Sequence, residues 1–368
     1  MPPCGRAGRV RAVGNNGLIR RRLGPAGLGL SIALATGTPV DAQSLRGRVL
    51  AEGATGPVEG AFITLTDSTG RRVDSGLSDS GGYYLLRAGA GSYVLRVERI
   101  GFETWTSPPV EIRAGEDRTL ELSIPVRPVR LAELDVRVHT GCLDQRDDGS
   151  AIWQVWDEAR KALETAVFAD ESELFRFNTF VFDRLLEPTD LVLLRADTVL
   201  VKGAARTPFH SLDAKLLARE GYIRNVADTV YFYAPDAAVL MSSEFLDTHC
   251  FGLDTTLPDL VGLTFGPAEN RKLPDIAGVM WLDTETAELR HLEFRYANFP
   301  YRIPAERLGG WIDFVRLPGG PFVVERWWLR TPHVRMGDRG PRIDGYVEHG
   351  GLIADVFTAA GRRIDWHR

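Results

Sequence analysis

The chain is predicted to be mainly β with an α+β second half: an N-terminal seven-stranded β-sandwich, then a curved antiparallel sheet packed with a few helices. Two observations carry this. Short alternating runs divided by Gly, Pro, Asp and Ser recur at regular spacing over residues 45–124, the pattern of a small sandwich. After one amphipathic helical run at 151–167, longer strand-like runs joined by hairpin turns fill the last third. The 368 residues suffice for two domains. An apolar share of 44% with 25% charged residues excludes a bundle of membrane helices and a low-complexity chain.

Ahead of the sandwich, residues 1–22 hold Arg6, Arg9, Arg11, Arg20, Arg21 and Arg22 and no acid, and residues 23–35 are small and apolar. This is the layout of a signal peptide, with an apolar run too short for the roughly 18–20 residues that span a bilayer. Val40 and Ala42 place the cut between Ala42 and Gln43. The expected address is the bacterial cell envelope, periplasmic or associated with the outer membrane or cell surface. The arginine triplet is compatible with twin-arginine export, although the rest of that pattern is missing. Four segments follow: signal peptide 1–42, sandwich 43–125, linker 126–149 and a curved-sheet domain 150–368. Six arginines against Asp41 give the leader +5, so the −5 of the whole chain becomes −10 without it. Such an acidic body argues against nucleic acid as a partner.

Cys4 leaves with the leader, so Cys142 and Cys250 remain for an oxidising compartment. They are expected to form a structural disulfide, with two separate buried thiols as the alternative. His249 beside Cys250 does not suggest a nucleophile and its base, because adjacent strand residues face opposite sides.

Within the sandwich the strands are separated by Gly56-Pro57-Val58-Glu59-Gly60, Ser78-Asp79-Ser80-Gly81-Gly82 and Gly91-Ser92. The alternation of Tyr93, Leu95 and Val97 with Arg96 and Glu98 marks one strand clearly. The series G-x-V, G-x-P-V-x-G-A-x-I-x-L, S-D-S-G-G-Y-Y-L, G-x-Y-x-L-x-V and I-G-F, over residues 44–125, resembles the carboxypeptidase regulatory-like domain. The resemblance implies a transthyretin-like sandwich, a module found on peptidases, outer-membrane receptors and cell-surface proteins, with some relatives that bind carbohydrate. The glycines and Asp79 are accounted for by turns. Phe102 and Trp105 are the aromatic pair that could stack on a sugar, and covering the end of the sandwich explains them equally.

Two common attachments of this module are excluded by counting. None of the seven histidines has Glu three positions on, and no H-E-x-x-H occurs, so the ligand spacing of a zinc carboxypeptidase is missing. The 243 residues after Pro125 cannot hold a receptor plug and a barrel of about 22 strands of roughly 9–11 residues. Residues 129–138 nevertheless resemble the join that follows the module in such receptors.

In the second half, strands at 174–182 and 190–201 are expected to pair across the turn Glu187-Pro188-Thr189. Helices are expected at 212–220 and 236–246. Strands at 260–265, 276–282, 288–296, 310–317 and 322–329 complete a meander, with turns at 283–287 and 318–320. The phrase Gly278-Val-Met-Trp281-Leu-Asp283-Thr-Glu-Thr286 resembles the half-barrel of periplasmic lipoprotein-sorting proteins. That resemblance implies a lipid-like ligand between sheet and helices.

Seven of the eight tryptophans lie in this half. Trp311 and Trp328 are candidate ligand contacts together with Phe102 and Trp105, and core filling accounts for them as well. Arg326 and Arg330 share a face with Trp328, where an anionic ligand or neighbouring carboxylates would meet them. No triad, phosphate loop or metal spacing occurs, so no catalytic residue, cofactor or metal is expected. The expected role is exported, non-catalytic binding or scaffolding with an envelope protein as partner. The alternatives are a carrier of a lipid-like ligand, carbohydrate binding by the sandwich, and an uncharacterised hydrolase.

Overall fold

The computed structural model describes residues 10–12, 43–53, 56–133, 151–205, 211–226, 229–299, 304–337 and 340–366. Ala42 and Cys142 fall outside them, as does most of the expected linker. The chain divides into two compact units: residues 15–97 with 104–124, and residues 1–14 with 98–103 and 125–368.

Val10–Ala12 forms a short strand, β1, of the larger unit. The smaller unit is a sandwich of β2 (Gln43–Ala51), β3 (Phe62–Asp67), β4 (Arg72–Leu77), β5 (Tyr83–Ala88), β6 (Gly91–Glu98), β7 (Trp105–Thr106), β8 (Val110–Ile112) and β9 (Arg118–Ile124). One sheet runs β5-β2-β9; the other runs β4-β3-β6-β7, with β8 also on β6. Leu45, Ile63, Leu65, Leu86 and Leu95 are fully buried between them. The turn at 78–82 explains its own sequence. Asp79 Oδ1 accepts the N–H groups of Gly81 and Tyr83, both at 2.9 Å, and Gly82 takes φ 77°, a conformation that favours glycine.

The larger unit begins with α1 (Ala151–Glu171), then β10 (Phe175–Leu186), β11 (Leu193–Ala204), α2 (Ala214–Glu220), β12 (Ile223–Val226) and β13 (Thr229–Phe232). Next come α3 (Ala237–Leu240), α4 (Ser243–Thr248) and the strands β14 (His249–Asp254), β15 (Leu260–Pro267), β16 (Asp275–Asp283) and β17 (Leu289–Ala297). The run ends with β18 (Gly309–Arg316), β19 (Phe322–Gly337), β20 (Gly340–Thr358) and β21 (Arg363–Ile364). Where one helix is expected at 236–246 there are two, because Ser242 leaves the helical path and caps the second by accepting the Phe245 N–H at 3.1 Å.

Ten strands make one curved, open antiparallel sheet in the order β11-β10-β20-β19-β18-β17-β16-β15-β14, with β21 on β20. β14 to β20 are a plain meander, and the β10–β11 hairpin is added at one end. β1, β13 and β12 form a separate small sheet.

α1 covers one face of the large sheet. Its Val155, Trp156, Ala159, Ala162 and Leu163 are at most 1% exposed and meet Phe251, Leu263, Met280, Leu292, Ile312 and Trp327 in one core. Trp156 and Phe251 have ring centroids 5.8 Å apart. This is the face on which the half-barrel resemblance implies a lipid-like ligand. A charged pair is buried beside it: Lys161 Nζ lies 2.6 Å from Glu158 Oε1, both side chains at most 3% exposed. The same lysine donates to Phe102 O at 2.8 Å, and Glu158 Oε2 accepts the Gly101 N–H at 2.7 Å.

Candidate functional site

The face carrying Trp311 and Trp328 holds a groove of about 460 Å³ lined by Phe180, Phe182, Arg184, Thr198, Trp311, Arg326, Trp328 and Leu352. Strand register builds it. One row crosses five strands as Thr198, Phe182, Gly350, Trp328 and Trp311, each opposite the next. A second row is Leu200, Phe180, Leu352, Arg326 and Asp313; a third is Ala196, Arg184, Glu348, Arg330 and Gly309. At about 4.8 Å per strand the aromatic row is about 19 Å long. Gly350 keeps its floor open for the ring of Phe182: a Cβ there would stand 2.6 Å from Phe182 Cζ.

The polar groups around these rings are already ordered. Asp313 accepts Trp311 Nε1 at 2.5 Å and Arg326 Nε at 2.6 Å. Glu348, 6% exposed, accepts Arg330 Nε and Nη2 at 2.9 and 2.6 Å and lies 3.8 Å from Arg184 Nη1. The Arg330 guanidinium sits 4.8 Å over Trp328, and that of Arg184 sits 4.0 Å over Phe182, both within the range of cation–π attraction. Neighbouring carboxylates thus hold both Arg326 and Arg330. His291 stacks on Trp311 with centroids 4.2 Å apart and planes 12° from parallel. Burial lowers its pKa, more than Asp313 and Glu293 raise it.

This site unites two of the expected contacts. Trp311 and Trp328 stand side by side, half-buried, while Trp281 and Trp327 are buried at 5% and 3%. Phe102 and Trp105 fall in different units. Phe102 is half-buried with Arg99 4.5 Å over its ring, and Trp105 packs on the sandwich core. Sequence reasoning passed over Phe180, Phe182, Arg184 and Leu352, although the alternation of Phe180 and Phe182 marks one face of a strand.

Among the described residues, His249, His291, His333 and His349 lie in separate settings. His249 is 2% exposed, stacks on Phe245 at 4.0 Å and has Nε2 3.2 Å from Asp275 Oδ1. His333 pairs with Asp344 at 2.6 Å and His349 with Asp183 at 2.8 Å. Among the described residues no three His, Cys, Asp or Glu side chains are grouped to hold a metal ion. No helix among them is long and apolar enough to cross a membrane.

No curated protein matches the chain. A crystal structure from Bacteroides uniformis, described as a candidate carbohydrate-binding protein, aligns with 63% of this chain and 93% of its own at 11% identity, with a TM-score of 0.20. Residues 44–125 match the family model of the carboxypeptidase regulatory-like domain, so the sandwich is a module of that family.

Proposed function

We propose that the protein is a non-catalytic binding protein whose ligand, a glycan, lies along the aromatic row of the larger unit. The observation that carries this is the pairing of Trp311 with Trp328 across two strands, both rings accessible and both flanked by fixed donors and acceptors. Sugar rings present apolar C–H faces and a rim of hydroxyls. An aromatic floor with ordered Arg and Asp groups matches both features, and sites of this kind combine apolar lining with a few placed polar groups. The carboxylates already neutralise much of the arginine charge, which favours an uncharged ligand over a phosphate. The glycan reading thus moves from the sandwich to the large sheet. A glycan array probed with the full chain and with Trp328→Ala tests it: binding to a defined set of oligosaccharides, lost in the variant, is expected. Array signal that survives the substitution, or a co-purifying lipid that the substitution releases, would overturn it.

We further propose export to the cell envelope, with cleavage between Ala42 and Gln43 and a Cys142–Cys250 disulfide. The basic leader followed by a short apolar run supports export. Cleavage would remove β1 and leave β12 and β13 as a two-stranded ribbon. Mass spectrometry of protein purified from the native envelope is expected to show Gln43 first and the two cysteines linked. An intact N-terminus or two free thiols would contradict these assignments.

A further inference from the structure

The β10–β11 hairpin places β11 at the edge of the large sheet. One side of β11 pairs with β10, and among the described residues no strand pairs with the other. Every residue from 192 to 203 is exposed, including Val192 at 59%, Leu193 at 53%, Leu194 at 58% and Val199 at 65%. Natural edge strands are normally short, charged or covered, because a long apolar edge recruits another strand.

We propose that β11 pairs antiparallel with β11 of a second copy, about a two-fold axis through Ala196 and perpendicular to the sheet. Such an axis pairs residues equidistant from it and keeps their side chains on one face. Charge selects its position. Centred on Ala196, it sets Arg195 against the second copy's Asp197, and Asp197 against the second copy's Arg195. Leu194 then meets Thr198, Leu193 meets Val199 and Val192 meets Leu200, so two of these three pairs are apolar on both sides. Two residues further out, Lys202 is brought toward the second copy's Asp190. An axis one residue earlier would oppose Arg195 to itself, and one residue later Asp197 to itself; like charges directly opposite are unfavourable. Within one chain Arg195 Nη2 already lies 2.5 Å from Asp197 Oδ2, with both side chains more than 60% exposed. Association exchanges that pair between copies and adds no unpaired charge. The product is one continuous sheet with both aromatic grooves on the same side.

Sedimentation velocity on the full chain at rising concentration tests this, with circular dichroism to confirm that each variant is folded. A monomer–dimer equilibrium is expected. Arg195→Asp and Asp197→Arg should each raise the dimer dissociation constant about tenfold or more, and the double variant Arg195→Asp/Asp197→Arg should restore it. A chain that stays monomeric, association indifferent to either reversal, or a double variant that fails to recover would overturn the proposal.

Discussion

The two faces of the large sheet are built from the same strands and do opposite work. Toward α1, Met280, Leu292, Ile312 and Trp327 are at most 3% exposed, and burial of this kind stabilises by about 1.5–3 kcal/mol per large side chain. On the other face Trp311, Trp328 and Phe180 keep part of their rings in water, and Arg326 and Arg330 are bonded to carboxylates. Adjacent Trp327 and Trp328 state the contrast within one dipeptide. One fills the core and the other lines a groove, because successive strand residues point to opposite faces.

Substitutions on the α1 side should therefore cost stability. The largest effect is expected for Lys161→Met, which leaves Glu158 buried without its cation. Burial already pushes the Glu158 carboxyl up despite Lys161, and breaking a buried pair costs about 3–5 kcal/mol, read as a lower urea midpoint. Gly351→Val is next. A Cβ at Gly351 would fall 2.1 Å from Trp327 Cη2, so the buried ring must move, at about 1–3 kcal/mol.

The hairpin that joins β16 to β17 gives a smaller effect. Burial would raise the Asp283 carboxyl, but hydrogen bonds from Arg290 and Thr286 hold it at about 2. Asp283→Ala should cost about 1–2 kcal/mol at neutral pH. The sign follows from the lowered value: the contribution is present above the ordinary carboxylate range and is lost as pH falls toward 2.

On the groove side the expected stability changes are smallest. Because burial lowers the pKa of His291, the unfolded chain takes up that proton first. Its contribution to stability is complete above about pH 6.5 and declines as the solution is acidified below it. Urea midpoints at neutral and mildly acidic pH should differ less in His291→Gln than in the parent chain. An unchanged difference would mean that His291 is not the titrating group.

How much of this could be read in the sequence depended on whether the signal was local. The sandwich was legible because its turns are local: Asp79 and Gly82 do within five residues what their types suggest. The hairpin β10–β11 was legible from Glu187-Pro188-Thr189 for the same reason. β4 was not, since Arg72–Leu77 is mostly polar and carries Gly76. β20, the longest strand, was also missed. Gly345, Gly350 and Gly351 interrupt its alternation, and at the latter two the space of a side chain is taken by Phe182 and Trp327, which lie far away in sequence. The groove shares that difficulty. Trp311 and Trp328 could be singled out as aromatic residues on strands, but Phe182, Gly350 and Thr198 join their row only through long-range pairing.

The row through Trp311 and Trp328 is proposed to be a binding surface with little part in stability. Isothermal titration of an array-positive oligosaccharide into the parent chain and into Trp311→Ala/Trp328→Ala, with urea midpoints taken on both, measures it most directly. The expected result is an affinity reduced about a hundredfold or more, equivalent to roughly 2.7 kcal/mol, with a midpoint close to that of the parent. Unchanged affinity, or a loss that appears only because the variant unfolds, would contradict it.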